Sequence, residues 1–220
     1  DPGMHSSQNE QDSRYHALAS HVPMLEPSDS QECLDFTKAA FDISEKFDTP
    51  VIIRTTTRIA HQRSLVELSD RQELPKKEYK KDIMKYVMMP GMAIKRHVIV
   101  DKRMNDLENN KEVSSLVNKI EYNDKTLGII TSGISYQYTK EVFPNASVLK
   151  IGLVNPMPTE LIKEFAANVD KLLVIEELEP YMENFVKQIG ILKAEGKKYF
   201  TNQGELNTVK IASAYYGTKP

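Results

Sequence analysis

A single cysteine stands among 220 residues. Cys33 therefore excludes an internal disulfide, and any zinc or iron–sulfur site built from several cysteines of this chain. A reducing, cytoplasmic setting fits that usage. Long apolar runs are missing as well. None approaches the ~20 residues that span a bilayer, and no signal peptide is visible, so no membrane is expected. Neither sign of charge dominates: 29 basic against 31 acidic residues leave a formal net charge of -2. No overall basic field exists to hold nucleic acid. Neither G-x-G-x-x-G nor G-x-x-x-x-G-K-[ST] occurs, so Gly128 and Gly133, which flank a strand-to-helix turn, give little support for a phosphate loop. Repeats and low-complexity tracts are absent. So is an initiating methionine: Asp1-Pro2-Gly3 is turn chemistry, which reads as an excised piece or as a natural processing site.

The remaining composition, 40% hydrophobic and 27% charged, is that of a soluble globular chain. Its length suits one large domain or two modest ones. After a polar start, Tyr15, Leu18, Ala19 and Val22 recur at helical spacing, predicting a helix over 9–20 and a short buried strand over 22–25. Ser28 with Gln31 fits a capping box for a helix carrying Cys33, Phe36, Ala40, Ile43 and Phe47 on one side. The β-branched run 51–57 predicts a buried strand. Strand, helix, strand in this rhythm is a βαβ unit and hence a parallel sheet. From 58 to 92 the pattern breaks into a charged, exposed stretch closed by Pro90-Gly91, read as a connector. A long charged helix over 93–118 is expected at a domain edge or against a partner. A second α/β rhythm follows, with strands over 127–132, 146–151 and 171–176. Helices run from Gly133 to Val142, over 159–168, from Pro180 to about Leu192 and over 208–216. The fold class is thus α/β, with two parallel-sheet units.

Three polar constellations could carry chemistry. His5, Ser6, Ser7, Gln8, Asn9, Asp12 and Arg14 lie between a turn and a helix start, the sort of loop that offers backbone donors to an anion at strand ends. His5 could also move a proton near neutral pH. Alternatively the run is a capped, solvated helix start with Ser6 or Ser7 as cap. Arg54, Arg58 and His61 could grip a carboxylate or phosphate, or Thr55, Thr56 and Thr57 between them are simply strand residues. Glu176, Glu177 and Glu179 could serve acid–base chemistry or a metal, or only favour the helix that Pro180 opens. No Ser/His/Asp triad can be assembled, and Met88, Met89 and Met92 read as gap-fillers.

The run from Asp1 through His5-Ser6-Ser7-Gln8 to Arg14 resembles the large subunit of indolepyruvate:ferredoxin oxidoreductases, within the pyrimidine-binding domain. The likeness continues at Leu25-Glu26-Pro27-Ser28-Asp29 and Phe41-Asp42-Ile43-Ser44-Glu45, then from Pro50 to His61. It returns at Gly128-Ile129-Ile130-Thr131-Ser132-Gly133, Val148-Leu149-Lys150-Ile151-Gly152 and Val174-Ile175-Glu176-Glu177-Leu178-Glu179-Pro180. The later pieces resemble the more generic transketolase C-terminal-like domain. The resemblance implies residues 1–60 as the second part of a pyrimidine-binding domain, 61–95 as connector and 96–220 as a transketolase C-terminal-like domain. It implies oxidative decarboxylation of an aryl 2-oxo acid to acyl-CoA with reduction of ferredoxin, using thiamine diphosphate with Mg2+ and iron–sulfur clusters. It implies a smaller beta subunit, ferredoxin, coenzyme A and the 2-oxo acid as partners, and an oligomer. The activating glutamate would lie upstream; the diphosphate- and magnesium-binding domain and the cysteine-rich domain would lie downstream. These residues alone are then expected to be inactive and to bind none of those cofactors. The polar run His5 to Arg14 would sit near the cofactor or substrate edge, and Glu176 to Glu179 would serve architecture or subunit contact. The competing functions are a pyruvate or branched-chain 2-oxoacid oxidoreductase and a non-catalytic α/β interaction module.

Overall fold

The computed structural model describes residues 1–71, 73, 76 and 78–217. The elements run α1 (Arg14–Ser20), β1 (Met24–Leu25), α2 (Ser30–Phe47), β2 (Ile52–Ile53), α3 (Thr57–His61), α4 (Ile83–Tyr86), α5 (Pro90–Glu108) and α6 (Lys111–Val117). Then follow β3 (Lys119–Glu121), β4 (Asp124–Thr131), α7 (Ile134–Val142), β5 (Ala146–Lys150) and β6 (Leu153–Asn155). The last five are α8 (Thr159–Ala167), β7 (Lys171–Ile175), α9 (Tyr181–Gln188), β8 (Ala194–Glu195) and α10 (Thr208–Tyr216).

A five-stranded sheet has the order β3-β5-β4-β7-β8, all neighbours parallel except the β3–β5 edge pair. Period-two alternation along its strands splits the core. Ile130, Leu149, Leu172 and Val174 face α1, α8 and α9, meeting Ala17, Ile162, Phe165, Met182 and Val186. Ile129, Leu173 and Ile175 face α7 and α10 on the other side, meeting Phe143 and Ile211. Both faces are covered, which is why these strands read as continuous apolar runs. Each such fully buried side chain contributes roughly 1.5–3 kcal/mol.

A second, three-stranded sheet has the order β2-β1-β6, β1 and β2 parallel, β1 and β6 antiparallel. Its strands pack on α2, on Leu107 of α5 and on Val113 and Val117 of α6. The chain crosses between the sheets at Gly152, where an added Cβ would lie 2.0 Å from the Val117 carbonyl oxygen, so any side chain there collides with backbone. Asn118 Oδ1 accepts from the Gly152 and Leu153 amides at 2.9 and 3.1 Å, and the Gly152 carbonyl accepts from Glu26 N at 2.8 Å.

Several expected elements differ. The first helix starts at Arg14 rather than residue 9, because Glu10 is tied to the amides of Gly3 and Gly204 and Asp12 folds its carboxylate onto Arg14 at the helix start. The cap of α2 is Asp29, whose carboxylate accepts from Glu32 N at 2.8 Å, and Ser28 donates to Glu32 instead of pairing with Gln31. The strand expected over 51–57 keeps only Ile52–Ile53: Arg54 turns inward to an ion pair, and Thr57 already belongs to α3. The single helix expected over 93–118 is two, α5 starting at Pro90 and α6 capped by Asn110, whose side chain accepts from Val113 N at 2.9 Å. The helix expected from Pro180 to about Leu192 stops at Gln188. β3, β6 and β8, of two or three residues each, carry too few side chains for a periodic signal. Among the described residues, the connector expected over 58–92 holds most of α3, all of α4 and the first turn of α5, and Pro75 and Lys77 of its charged stretch lie outside the described residues.

Candidate functional site

In the five-stranded sheet, β4 has β5 on one side and β7 on the other, so the winding reverses between β4 and β7. The crevice outside the carboxyl ends of such a strand pair is where open α/β sheets ordinarily take ligands. Here Ser132-Gly133 leave β4 and Glu176-Glu177 leave β7, while Glu26 leaves β1 and Arg54 leaves β2. All six are under 9% exposed.

Two ion-pair clusters fill the place, one around Arg14 and one around Arg54. Arg14, 1% exposed, donates Nη1 to Glu176 Oε2 at 2.7 Å and its fork to Asp12 at 2.6–3.1 Å. Nη2 also donates to the carbonyls of Glu177 and Glu179 at 2.9 and 3.3 Å. Burial works against the Arg14 charge, but Glu176 and Asp12 outweigh it and hold the guanidinium protonated far above ordinary pH. Burial likewise opposes the Asp12 charge, and Arg14 holds that carboxyl below its usual range. Burial pushes the Glu176 carboxyl up, against Arg14 and the amides of Met182 and Glu183 at 3.0 and 2.9 Å. Three donors meet its two oxygens, an arrangement that favours the ionised form against that burial. The second cluster joins Arg54 Nη1 to Glu26 Oε1; Ser132 Oγ donates to the other Glu26 oxygen at 2.9 Å, and Arg54 Nε donates to Ser13 Oγ at 3.1 Å.

Glu177 differs. Its Oε1 accepts only from Leu206 N, at 2.8 Å, and burial pushes its carboxyl up to about 7, opposed by that amide and by Arg54. The turn that presents it is strained: buried Leu178 has φ 60, left-handed for a residue with a side chain.

The consequence is that helix N-termini at the crevice are occupied by the chain's own carboxylates. Glu176 accepts from the first turn of α9, and Glu26 abuts Gly133 at the head of α7, where a Cβ would meet its Oε1 at 2.8 Å. Asp29 fills the head of α2 in the same way. Such termini attract anions; those of α9 and α2 are already satisfied, while Glu26 only crowds the head of α7. Among the described residues, no group of three His, Cys, Asp or Glu could hold a metal ion.

The residues expected at a site part into two sets. Asp12 and Arg14 are buried in the first ion-pair network. His5, Ser6, Ser7, Gln8 and Asn9 are exposed on the loop above it. His5 Nε2 lies 3.0 Å from Glu205, which Arg58 grips from the other side at 2.6 and 2.7 Å; despite partial burial, Arg58 and His5 keep the Glu205 carboxyl low. Glu10 accepts from the amides of Gly3 and Gly204 at 2.5 and 2.8 Å, tying the loop to the approach of α10. Ser6 and Ser7 cap nothing: the residue before α1 is Ser13, without a side-chain cap bond, and Ser7 Oγ donates to the Asn9 carbonyl at 3.1 Å. His61 ends α3, exposed and away from Arg54. Glu26, Ser132 and Glu205 were not singled out as site residues from sequence. The available signal for Glu26 was an acidic residue closing an apolar strand ahead of Pro27.

This is a doubly wound α/β chain whose crevice is closed by internal ion pairs. In fold it is like two solved enzymes. One is a 2-oxoglutarate:ferredoxin oxidoreductase from Magnetococcus marinus (TM-score 0.66, 16% identity, 94% of this chain and 45% of that one). The other is a split-gene transketolase in an inactive beta4 tetramer (TM-score 0.50, 12% identity, 90% and 57%). The profile of the pyruvate flavodoxin/ferredoxin oxidoreductase thiamine diphosphate-binding family matches residues 2–125, and the chain belongs to that family. Among curated relatives, the indolepyruvate oxidoreductase subunit IorA of Archaeoglobus fulgidus is 37% identical over all of this chain and 37% of its own length. That of Thermococcus kodakarensis is 39% identical over 85% of this chain and 31% of its own. The chain thus spans about a third of the length of these relatives.

Proposed function

We propose that the chain forms part of the large subunit of an indolepyruvate:ferredoxin oxidoreductase, which oxidatively decarboxylates aryl 2-oxo acids to acyl-CoA. The likeness to IorA along the whole chain carries this reading. In it, residues 1–60 belong to the pyrimidine-binding domain, 61–95 connect, and 96–220 are the transketolase C-terminal-like domain. The full enzyme works in the cytoplasm as an oligomer with a smaller beta subunit, passing electrons through iron–sulfur clusters to ferredoxin and the acyl group to coenzyme A. When bound, thiamine diphosphate with Mg2+ supplies the carbanion and electron-sink chemistry.

The heads of α9 and α2 at the crevice are filled from within and so offer no open amides to the diphosphate. The part of the crevice residues is to build and hold. Arg14, Asp12 and Glu176 lock α1 to the β7–α9 turn, and Arg54 and Glu26 lock the small sheet to α7. Upon this base sits the exposed run His5, Ser6, Ser7, Gln8 and Asn9. Met4 at its root takes φ 45, left-handed for a residue with a side chain, and strain of that kind gathers at functional loops. We assign that run to the cofactor or substrate edge of the assembled enzyme.

The test is reduction of an electron acceptor by the full-length protein with its small partner, purified without oxygen. Indolepyruvate, phenylpyruvate, pyruvate, 2-oxoisovalerate and 2-oxoglutarate are compared, with and without coenzyme A and thiamine diphosphate. Rapid reduction with the aryl acids, dependent on both additions, is expected. Activity with only the other acids would overturn the substrate; no activity from a cluster-loaded complex would leave an interaction module.

A further inference from the structure

Away from the strand ends, α5 presents Arg96 and Arg103 on one face, seven residues apart. Both point at Asp48, the left-handed residue that ends α2. Lys85 of α4 arrives from the third side. Lys85 Nζ lies 2.6 Å from Asp48 Oδ1 and Arg96 Nη2 3.4 Å from Oδ2, while Arg103 Nη2 stands 3.9 Å from Oδ2, beyond hydrogen-bond reach. One carboxylate thus faces three cations. Cations do suit the end of α2, where backbone carbonyls concentrate negative charge. That does not account for Arg103. Its side chain is only 10% exposed, and its Nη2 is buried without any hydrogen-bond partner. Burial and the neighbouring Arg96 pull its proton affinity down, with Asp48 as the opposing charge.

A cavity of about 220 Å³ adjoins the cluster, lined by Lys85, Lys95 and Arg96 with Met84, Met92 and Ile99. The remaining lining residue, Asp82, is engaged in capping α4, accepting from Lys85 N at 3.1 Å. The cavity therefore offers excess positive charge and an apolar wall, with Asp48 and the buried Arg103 beside its lining rather than in it. Planar guanidinium forks match the oxygens of a tetrahedral oxyanion.

We propose that Lys85, Lys95 and Arg96, beside the Asp48–Arg103 contact, form a binding site for a phosphate dianion, either free or carried on a small organic molecule whose apolar part lies against Met84, Met92 and Ile99. The site is independent of the reading of the strand ends.

Equilibrium dialysis of the full-length protein, saturated with thiamine diphosphate and coenzyme A so that their sites are filled, tests this with radiolabelled inorganic phosphate and with phenyl phosphate. One added phosphate per chain is expected. Arg96→Gln, at a partly exposed position that the core does not need, weakens it about tenfold or more. Asp48→Asn removes the competing carboxylate and tightens binding several-fold, a gain that a merely structural cluster would not give. Lys102→Gln, outside the cluster, leaves binding unchanged. Phenyl phosphate binding more tightly than phosphate points to an organic carrier, and equal binding to the free ion. No added phosphate on the unaltered protein, or binding indifferent to both Arg96→Gln and Asp48→Asn, overturns the proposal.

Discussion

Arg14 and Glu176, 162 positions apart in the chain, meet Nη1 to Oε2 at 2.7 Å with neither side chain more than 2% exposed. The pair joins the first helix to the turn after the central sheet's β7. Buried ions pay for their desolvation only when every lone pair and proton finds a partner, and here Asp12, two carbonyls and two amides complete the set. Arg14→Ala leaves the buried Asp12 and Glu176 carboxyls without their cation, so a loss of about 3–5 kcal/mol is expected. Arg14→Lys keeps the charge but not the fork and recovers only part of it. Urea unfolding of each variant measures both; an Arg14→Ala loss under about 1 kcal/mol would mean that the network is not what holds α1.

Glu177 gives stability a pH dependence with a definite sign. Its folded-state value of about 7 lies above the ordinary 4.5, so the folded protein keeps this proton where the unfolded chain has released it. Its contribution is fully present below about 4.5 and is lost as pH rises through about 7. Glu177→Gln mimics the protonated form. It should gain on the unaltered protein by up to about 3 kcal/mol at pH 8, with the gain vanishing near pH 4. A difference that stays flat across that window would show that Glu177 is not held protonated.

Gly133 sits at φ 52 and ψ -145, with Glu26 Oε1 2.8 Å from where a Cβ would stand. Gly133→Ala should cost about 1–3 kcal/mol, from backbone strain and from displacing a carboxylate that Arg54 and Ser132 hold. Thermal melts decide it. A neutral substitution would mean that Glu26 yields freely.

The exposed run should separate from this scaffold. His5→Ala and Gln8→Ala touch little that is buried and should shift stability by no more than about 0.5–1 kcal/mol. If the run borders cofactor or substrate, they change KM or kcat of the full-length enzyme while melting temperature holds. Unaltered kinetics in both would remove the run from the site.

The sequence reveals the apolar strands well, because β4, β5 and β7 are covered on both faces and read as unbroken hydrophobic runs. It hides β6, three residues long and placed in the other sheet by the turn at Gly152, since a crossing between sheets leaves no periodic trace. The site residues were legible in one half only. His5 to Arg14 stand out as a dense polar run, but nothing local says that Asp12 and Arg14 turn inward. Their partner Glu176 is 162 residues away, and Glu26 looks like part of a helix-start signal. Pairings that depend on long-range folding cannot be read from spacing.

The most direct measurement is aryl 2-oxo acid-dependent reduction by the full-length protein and its small partner, for the unaltered protein and for Glu177→Gln. The account predicts reduction with indolepyruvate that needs thiamine diphosphate and coenzyme A, and a Glu177→Gln rate within about threefold of it, since this carboxyl belongs to the scaffold. A Glu177→Gln protein that folds as well as its parent yet loses on the order of 10²-fold or more in rate, as removal of a general acid or base does, would contradict it.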